Sequence, residues 1–226
     1  MPQGLTYNVD IVMCIDCTGS MGKLLDTVKE NALKFYPDLK ARCDANGKEI
    51  SNLRIRVIGF RDFGFDGDKA ITDTGFLSIP EDEGKFKEIV TSFEALGGGP
   101  QPESGLEALA MAINSDWTTG GNKRRHVIVV WTDAPTHELG ETGKDNPKYP
   151  KEVPANFDEL TNWWEEEQGG KMNHSARRLI LFAPDASRWS DIGNHWNATV
   201  HHLAKAGEGL EDVDYETILI SIVKSI

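Results

Sequence analysis

Tyr7–Asn31 reads YNVDIVMCIDCTGSMGKLLDTVKEN, and this stretch decides the fold. Val9 to Ile15 is an apolar run that stops at Asp16. A tight polar turn follows, Cys17-Thr18-Gly19-Ser20-Met21-Gly22, and then Leu24, Leu25, Val28 and Leu33 recur on one side of a helical pattern. A short apolar run bounded by turn residues reads as a strand buried on both faces, as in a parallel sheet. In such sheets the ligand crevice lies beyond the carboxyl ends of the strands. Asp16, Thr18 and Ser20 fall there.

The spacing Asp-x-Thr-x-Ser places three oxygen-bearing side chains at alternate positions of a turn too short to bury them. One carboxylate and two hydroxyls form a hard, oxygen-only, low-charge set suited to Mg²⁺, which prefers octahedral oxygen and keeps several waters. The same residue types also serve as ordinary helix caps. Spacing alone does not choose between the two.

Working outward, the chain has 226 residues, 39% hydrophobic and 27% charged, as expected of one large soluble domain. No apolar run approaches the roughly 20 residues needed to span a bilayer. The start, MPQGLTYNVD, lacks a basic segment followed by an apolar one, so no signal peptide is expected. Three cysteines argue against a disulfide framework, and Cys14-x-x-Cys17 has no second pair to complete a zinc site. A reducing, cytoplasmic setting is expected. Net charge is −12, and only Lys123-Arg124-Arg125 and Arg177-Arg178 cluster. These read as solvated residues at strand starts, which excludes nucleic acid as a direct partner.

The first helix is expected from about Ser20 to Arg42, interrupted or ended near Pro37, with Asn46-Gly47 as the turn beyond. Leu53 to Phe60 is a second strand ending in Arg61-Asp62. Phe76 to Ile79, after a polar turn region, suggests a hairpin and one antiparallel edge strand. Glu83 to Phe93 has helical spacing. Gly97-Gly98-Gly99-Pro100-Gln101-Pro102-Glu103 is a loop that by itself reads as a plain linker, though its flexible backbone could approach a ligand closely, and Glu103 opens the next helix.

Val127 to Trp131 is a buried strand ending in Thr132-Asp133-Ala134-Pro135, with Asp133 on the same rim as Asp16. Gly140 to Asn156 reads as a surface excursion and Phe157 to Gln168 as a helix. Leu179 to Phe182 is a strand, Trp189 to Trp196 a short helix, and Thr199 to Leu203 a last strand at or near an edge. Asp214 caps the final helix. Strands alternating with helices make this an α/β chain with a mostly parallel sheet.

Asp16-x-Thr18-x-Ser20 after a buried strand, the triple-glycine loop before a helix, and Thr132-Asp133 after another strand together resemble the metal-ion-dependent adhesion site of the von Willebrand factor A family. The resemblance covers essentially the whole chain, 1–226, as one domain. Arg61-Asp62, Pro102-Glu103 and Thr132-Asp133-Ala134-Pro135 are more similar to its intracellular bacterial and protist branches than to adhesion receptors. It implies a Rossmann-like three-layer sandwich with helices on both faces of the sheet. It also implies Mg²⁺, or Mn²⁺ or Ca²⁺, held by the hydroxyls of Thr18 and Ser20, with Asp16 and Asp133 acting largely through water. The metal keeps an open position for a Glu or Asp of a partner protein. The positive end of the first helix disfavours a cation, so the two aspartates must offset it. One departure stands out: the family places a Thr or Asp where this chain has Pro100, which has no side-chain oxygen. Gln101, Glu103 or water is left to fill that position.

Other candidates weigh less. Asp62 either supports the site or simply pairs with Arg61, and the second is favoured. His137 either lines the rim or sits exposed on its loop. His201 and His202 point to opposite sheet faces and cannot chelate together. Trp163 and Trp164 with Glu165 to Glu167 describe a helix with one packed and one solvated side. The expected function is a non-enzymatic, metal-dependent protein-interaction module. The alternatives are a Mg²⁺-dependent phosphatase-like hydrolase using Asp16 as nucleophile, and a metal-free scaffold. Phosphatases of the haloacid-dehalogenase type want a carboxylate two residues after the first, where this chain has Thr18.

Overall fold

The computed structural model describes residues 6–97, 99, 101–121, 123–166, 171–210 and 213–226. At its centre runs β1 (Thr6–Asp16), between β2 (Glu49–Phe60) and β5 (Arg124–Trp131), parallel to both. Outward from β5 come β6 (Arg177–Pro184) and β7 (Thr199–Ala204), also parallel. On the other side, β3 (Ile71–Asp73) and β4 (Leu77–Ile79) both pair antiparallel with β2, giving the order β3-β2-β1-β5-β6-β7 with β4 beside β2. The antiparallel edge is therefore two short segments. Parallel strands feeding crossover helices make the three-layer α/β sandwich, Rossmann-like and mostly parallel.

Alternation along β1 divides the core. Val9, Ile11, Met13 and Ile15 pack under α1 (Gly22–Ala45), α2 (Glu83–Ser92) and α6 (Tyr215–Ser225). Val12 and Cys14 pack on the other face, under α3 (Gly105–Ile113), α4 (Phe157–Glu165) and α5 (Ser187–His195). Cys14 and Cys17 thus belong to different cores, and burial pushes both thiols up to about 12. Neither is poised for redox chemistry or zinc. Among the described residues no helix is long and apolar enough to cross a membrane.

Several local expectations need correction. Pro37 neither ends nor interrupts α1, which runs through it to Ala45. An interior proline costs about 3 kcal/mol, but Phe35, Leu39 and Cys43 are buried on the same helix. At about 1.5–3 kcal/mol per large apolar side chain, that face outweighs the lost bond. Leu33's side chain, Glu167 and Gln168 lie outside the described residues. The segment after Gly140 is pinned down, with Tyr149 stacked edge-on against Phe63 at 5.1 Å and donating to buried Glu107 at 3.0 Å. Arg177 is not a solvated residue but 1% exposed. It is ion-paired at 2.6 Å with Glu165, which the sequence placed on a solvated face, and lies over the Trp164 ring. Asp214 does cap α6, accepting from the Thr217 amide at 2.7 Å, and β7 does lie at the sheet edge.

Candidate metal and partner site

The register carries two aspartates to one end of the sheet. Asp16 pairs with Phe60 across β1 and β2, and Ile15 pairs with Trp131 across β1 and β5. The next residue of each central strand, Asp16 and Thr132, therefore stand side by side past the ladder. Thr132 Oγ1 donates to Asp16 Oδ2 at 2.7 Å. The Thr18 amide and hydroxyl both donate to Asp16 Oδ1, at 2.9 and 2.7 Å. The turn buries two of its three polar groups, contrary to expectation: Asp16 is 0% exposed and Thr18 is buried, while Ser20 stays exposed as expected. Burial raises the Asp16 carboxyl to about 6, the hydrogen bonds from Thr18 and Thr132 pull it down, and nearby Asp133 raises it further.

Asp133 is held symmetrically. Ser20 Oγ donates to its Oδ1 at 2.9 Å, and the Gly209 amide donates to its Oδ2 at 2.8 Å. The Gly207 amide bonds its carbonyl at 2.9 Å, so the loop after β7 closes over the rim. Gly209 has φ +64, and a Cβ there would stand 2.1 Å from the Ser20 carbonyl oxygen. Only glycine fits. Neither Thr18 nor Ser20 caps the first helical turn through its side chain. Each gives its single proton to an aspartate, which leaves the hydroxyl lone pairs free to accept.

Glu103 is the residue the sequence weighed lightly. It does not open α3; it forms a bridge with Thr136, its amide bonding the Pro135 carbonyl at 3.0 Å. It is 3% exposed, and its Oε2 has no hydrogen-bond partner among the described residues. Burial, then the negative charges of Asp16, Asp62, Asp66 and Asp133, push its carboxyl up to about 8. Gln101 is exposed on a bend, and Pro100 and Gly98 lie outside the described residues. Among the described residues no three carboxylates, imidazoles or thiols cluster tightly enough to cage a metal by themselves. Neutral oxygens would have to take a large part, as Thr18 and Ser20 offer.

The supporting shell also differs from expectation. Arg61 does not pair with Asp62. Its guanidinium donates to the carbonyls of Cys17, Leu96, Lys69 and Glu94 at 2.6–3.0 Å, tying the Thr18 turn to the glycine loop. Asp62 accepts from the Gly64 amide at 2.7 Å and from Thr142 Oγ1 at 3.3 Å. His137 is not exposed: its ring lies 3.6 Å from Asp62 and 3.5 Å from Glu141, and its amide bonds the Glu103 carbonyl at 2.9 Å.

A doubly wound sheet with paired aspartates and hydroxyls beyond its central strands defines an α/β module whose candidate site is made of loops. The chain belongs to the von Willebrand factor A domain family, whose model matches residues 10–144. It is 27% identical over 161 residues to an ariadne-like RING finger protein of Acanthamoeba polyphaga mimivirus, covering 70% of this chain. It is 24% identical over 129 residues to the alpha-protein kinase vwkA of Dictyostelium discoideum, covering 57% of this chain. The matched stretches make up only 14% and 19% of those proteins' lengths. Among solved structures, the chain superposes on the pilus adhesin SpaC of Lactobacillus rhamnosus GG with TM-score 0.57 and 12% identity, over 96% of this chain and 30% of that one. It superposes on the vWF domain of the type V pili tip protein Mfa5 of Porphyromonas gingivalis with TM-score 0.51 and 15% identity, over 96% of both chains. At such identities the likeness is one of fold.

Proposed function

We propose that this chain is a non-enzymatic protein-interaction module that binds a divalent cation, Mg²⁺ first, at the rim of its sheet and recruits a protein partner through it. The observation that carries this reading is Glu103: a nearly fully buried carboxyl group whose Oε2 has no hydrogen-bond partner among the described residues, and which lies in the field of Asp16, Asp62, Asp66 and Asp133. Burial and negative potential strong enough to raise that carboxyl to about 8 are what a bound cation would relieve. The residues fit one. Thr18 and Ser20 would hold it through their hydroxyl oxygens, with water-mediated help from Asp16 and Asp133, and Glu103 rather than exposed Gln101 would stand in for the missing Pro100 oxygen. When bound, the ion supplies an electrophilic open position that a partner's Asp or Glu can fill.

This chain's own residues do the positioning. Asp16 and Asp133 orient the two hydroxyls, and Arg61 holds the loops that carry them. A nucleophilic Asp16 is disfavoured, because both its oxygens already accept hydrogen bonds and none of it is exposed. Free Cys14, Cys17 and Cys43 support a cytoplasmic setting. Calorimetric titration with MgCl₂ and MnCl₂, followed by affinity capture in Mg²⁺ and release by chelator, tests the reading. Absence of metal uptake would leave the metal-free scaffold; phosphatase turnover lost in Asp16→Asn would replace it with the hydrolase.

A further inference from the structure

β7 ends the sheet, and among the described residues nothing pairs with its outer edge. Natural edge strands are blunted by lysine, proline, bulges or a covering element. β7 reads TVHHLA and has no lysine or proline. Its two large aliphatic residues face water, Val200 at 52% and Leu203 at 69% exposed, on opposite faces of the strand. Beside it, between β7 and the end of α6, lies a groove of about 380 Å³ whose lining includes Arg178, Val200, His202, Ser221 and Lys224.

The groove's charge opposes that of the molecule. The chain carries net −12, yet among the described residues no acidic one lines this groove. Among the described residues Arg178 bonds only the carbonyls of Ser175 and Arg177, and burial, Arg125 and Arg177 all lower its pKa. Neither Arg178 nor Lys224 forms an ion pair among the described residues. A second copy pairing its own β7 here would bring like charges together. An acidic chain would not.

We infer that the open edge of β7 and the basic groove beside α6 take up an extended, acidic peptide segment of a partner as a further strand. The partner's backbone pairs with Thr199–Ala204, about 20 Å of ladder. Its apolar side chains cover Val200 and Leu203, and a carboxylate meets Arg178 and Lys224 at the start of the strand. This surface is separate from the metal rim and needs no metal.

The test is panning of the whole chain, in chelator, against displayed random peptides of about nine residues. The expected winners alternate β-branched residues with Asp or Glu. A synthetic winner should bind about tenfold more weakly to the Arg178→Glu/Lys224→Glu variant, whose circular dichroism matches the parent, and to a similar extent after N-methylation of alternate peptide amides. No enrichment, basic winners, or binding indifferent to both changes would overturn the inference. So would a dimer by light scattering that Leu203→Lys dissolves, or full displacement of the peptide by inorganic phosphate. Because metal is absent throughout, failure here leaves the metal reading intact, and failed Mg²⁺ titration leaves this one intact.

Discussion

Ser20 and Asp133 lie 113 residues apart in the chain and meet at 2.9 Å, the hydroxyl donating to the carboxylate across the gap between two loops. That bond aims the Ser20 oxygen, and it is the cleanest place to separate function from folding. Because Ser20 is exposed, Ser20→Ala should change stability by no more than about 0.5 kcal/mol. It should weaken Mg²⁺ binding by about tenfold or more in calorimetry. Equal metal affinity in parent and variant would remove Ser20 from the site.

The pH dependence of the metal-free protein follows from two acids with raised pKa values. Asp16 moves from 3.8 to about 6, and Glu103 from 4.5 to about 8. Between those limits the folded state holds protons that the unfolded state has lost, so stability falls as pH rises. The melting temperature in chelator should therefore be several degrees higher near pH 5 than near pH 8. Glu103→Gln should flatten the upper part of that slope, and a rising melting temperature over the same range would contradict the burial argument.

Arg61 grips four carbonyls with one planar fork, a geometry that lysine cannot reproduce. Arg61→Lys should cost about 1–3 kcal/mol in urea unfolding, since several partly buried acceptors lose their donor. It should also weaken Mg²⁺ binding, although the side chain makes no bond to either site aspartate. A drop in stability with unchanged metal affinity would show that the turn keeps its shape without the clamp.

Among the described residues Glu165 is the only acidic partner of buried Arg177. Removing it in Glu165→Ala leaves a guanidinium 1% exposed and unpaired, with an expected loss of about 3–5 kcal/mol. The double change Glu165→Ala/Arg177→Leu should recover much of that loss in the same denaturant assay. Equal destabilisation in both variants would mean that packing on Trp164, rather than charge, holds the corner.

Val129 sits in the middle of β5 with no exposure. Val129→Asp buries an unpaired charge between two helical layers and should abolish cooperative folding, visible as loss of the near-ultraviolet circular dichroism signal. A folded, cooperative variant would be incompatible with the strand arrangement.

Hydrophobic patterning alone determined that β1 and β5 are buried parallel strands, that helices alternate with them, and that Asp16 and Asp133 emerge at strand ends. Those features depend on residues adjacent in sequence, where period and turn chemistry speak directly. Tertiary structure decided what meets what. It drew Gly209 onto Asp133, aimed Arg61 at four carbonyls instead of Asp62, and buried Glu103 while leaving Gln101 in water. It also carried α1 straight through Pro37 and turned Arg177 inward onto Glu165. The reason is physical: partners contributed by separate loops have no signature in either segment alone. The energy that settles a proline or a charge comes from the whole face packed around it.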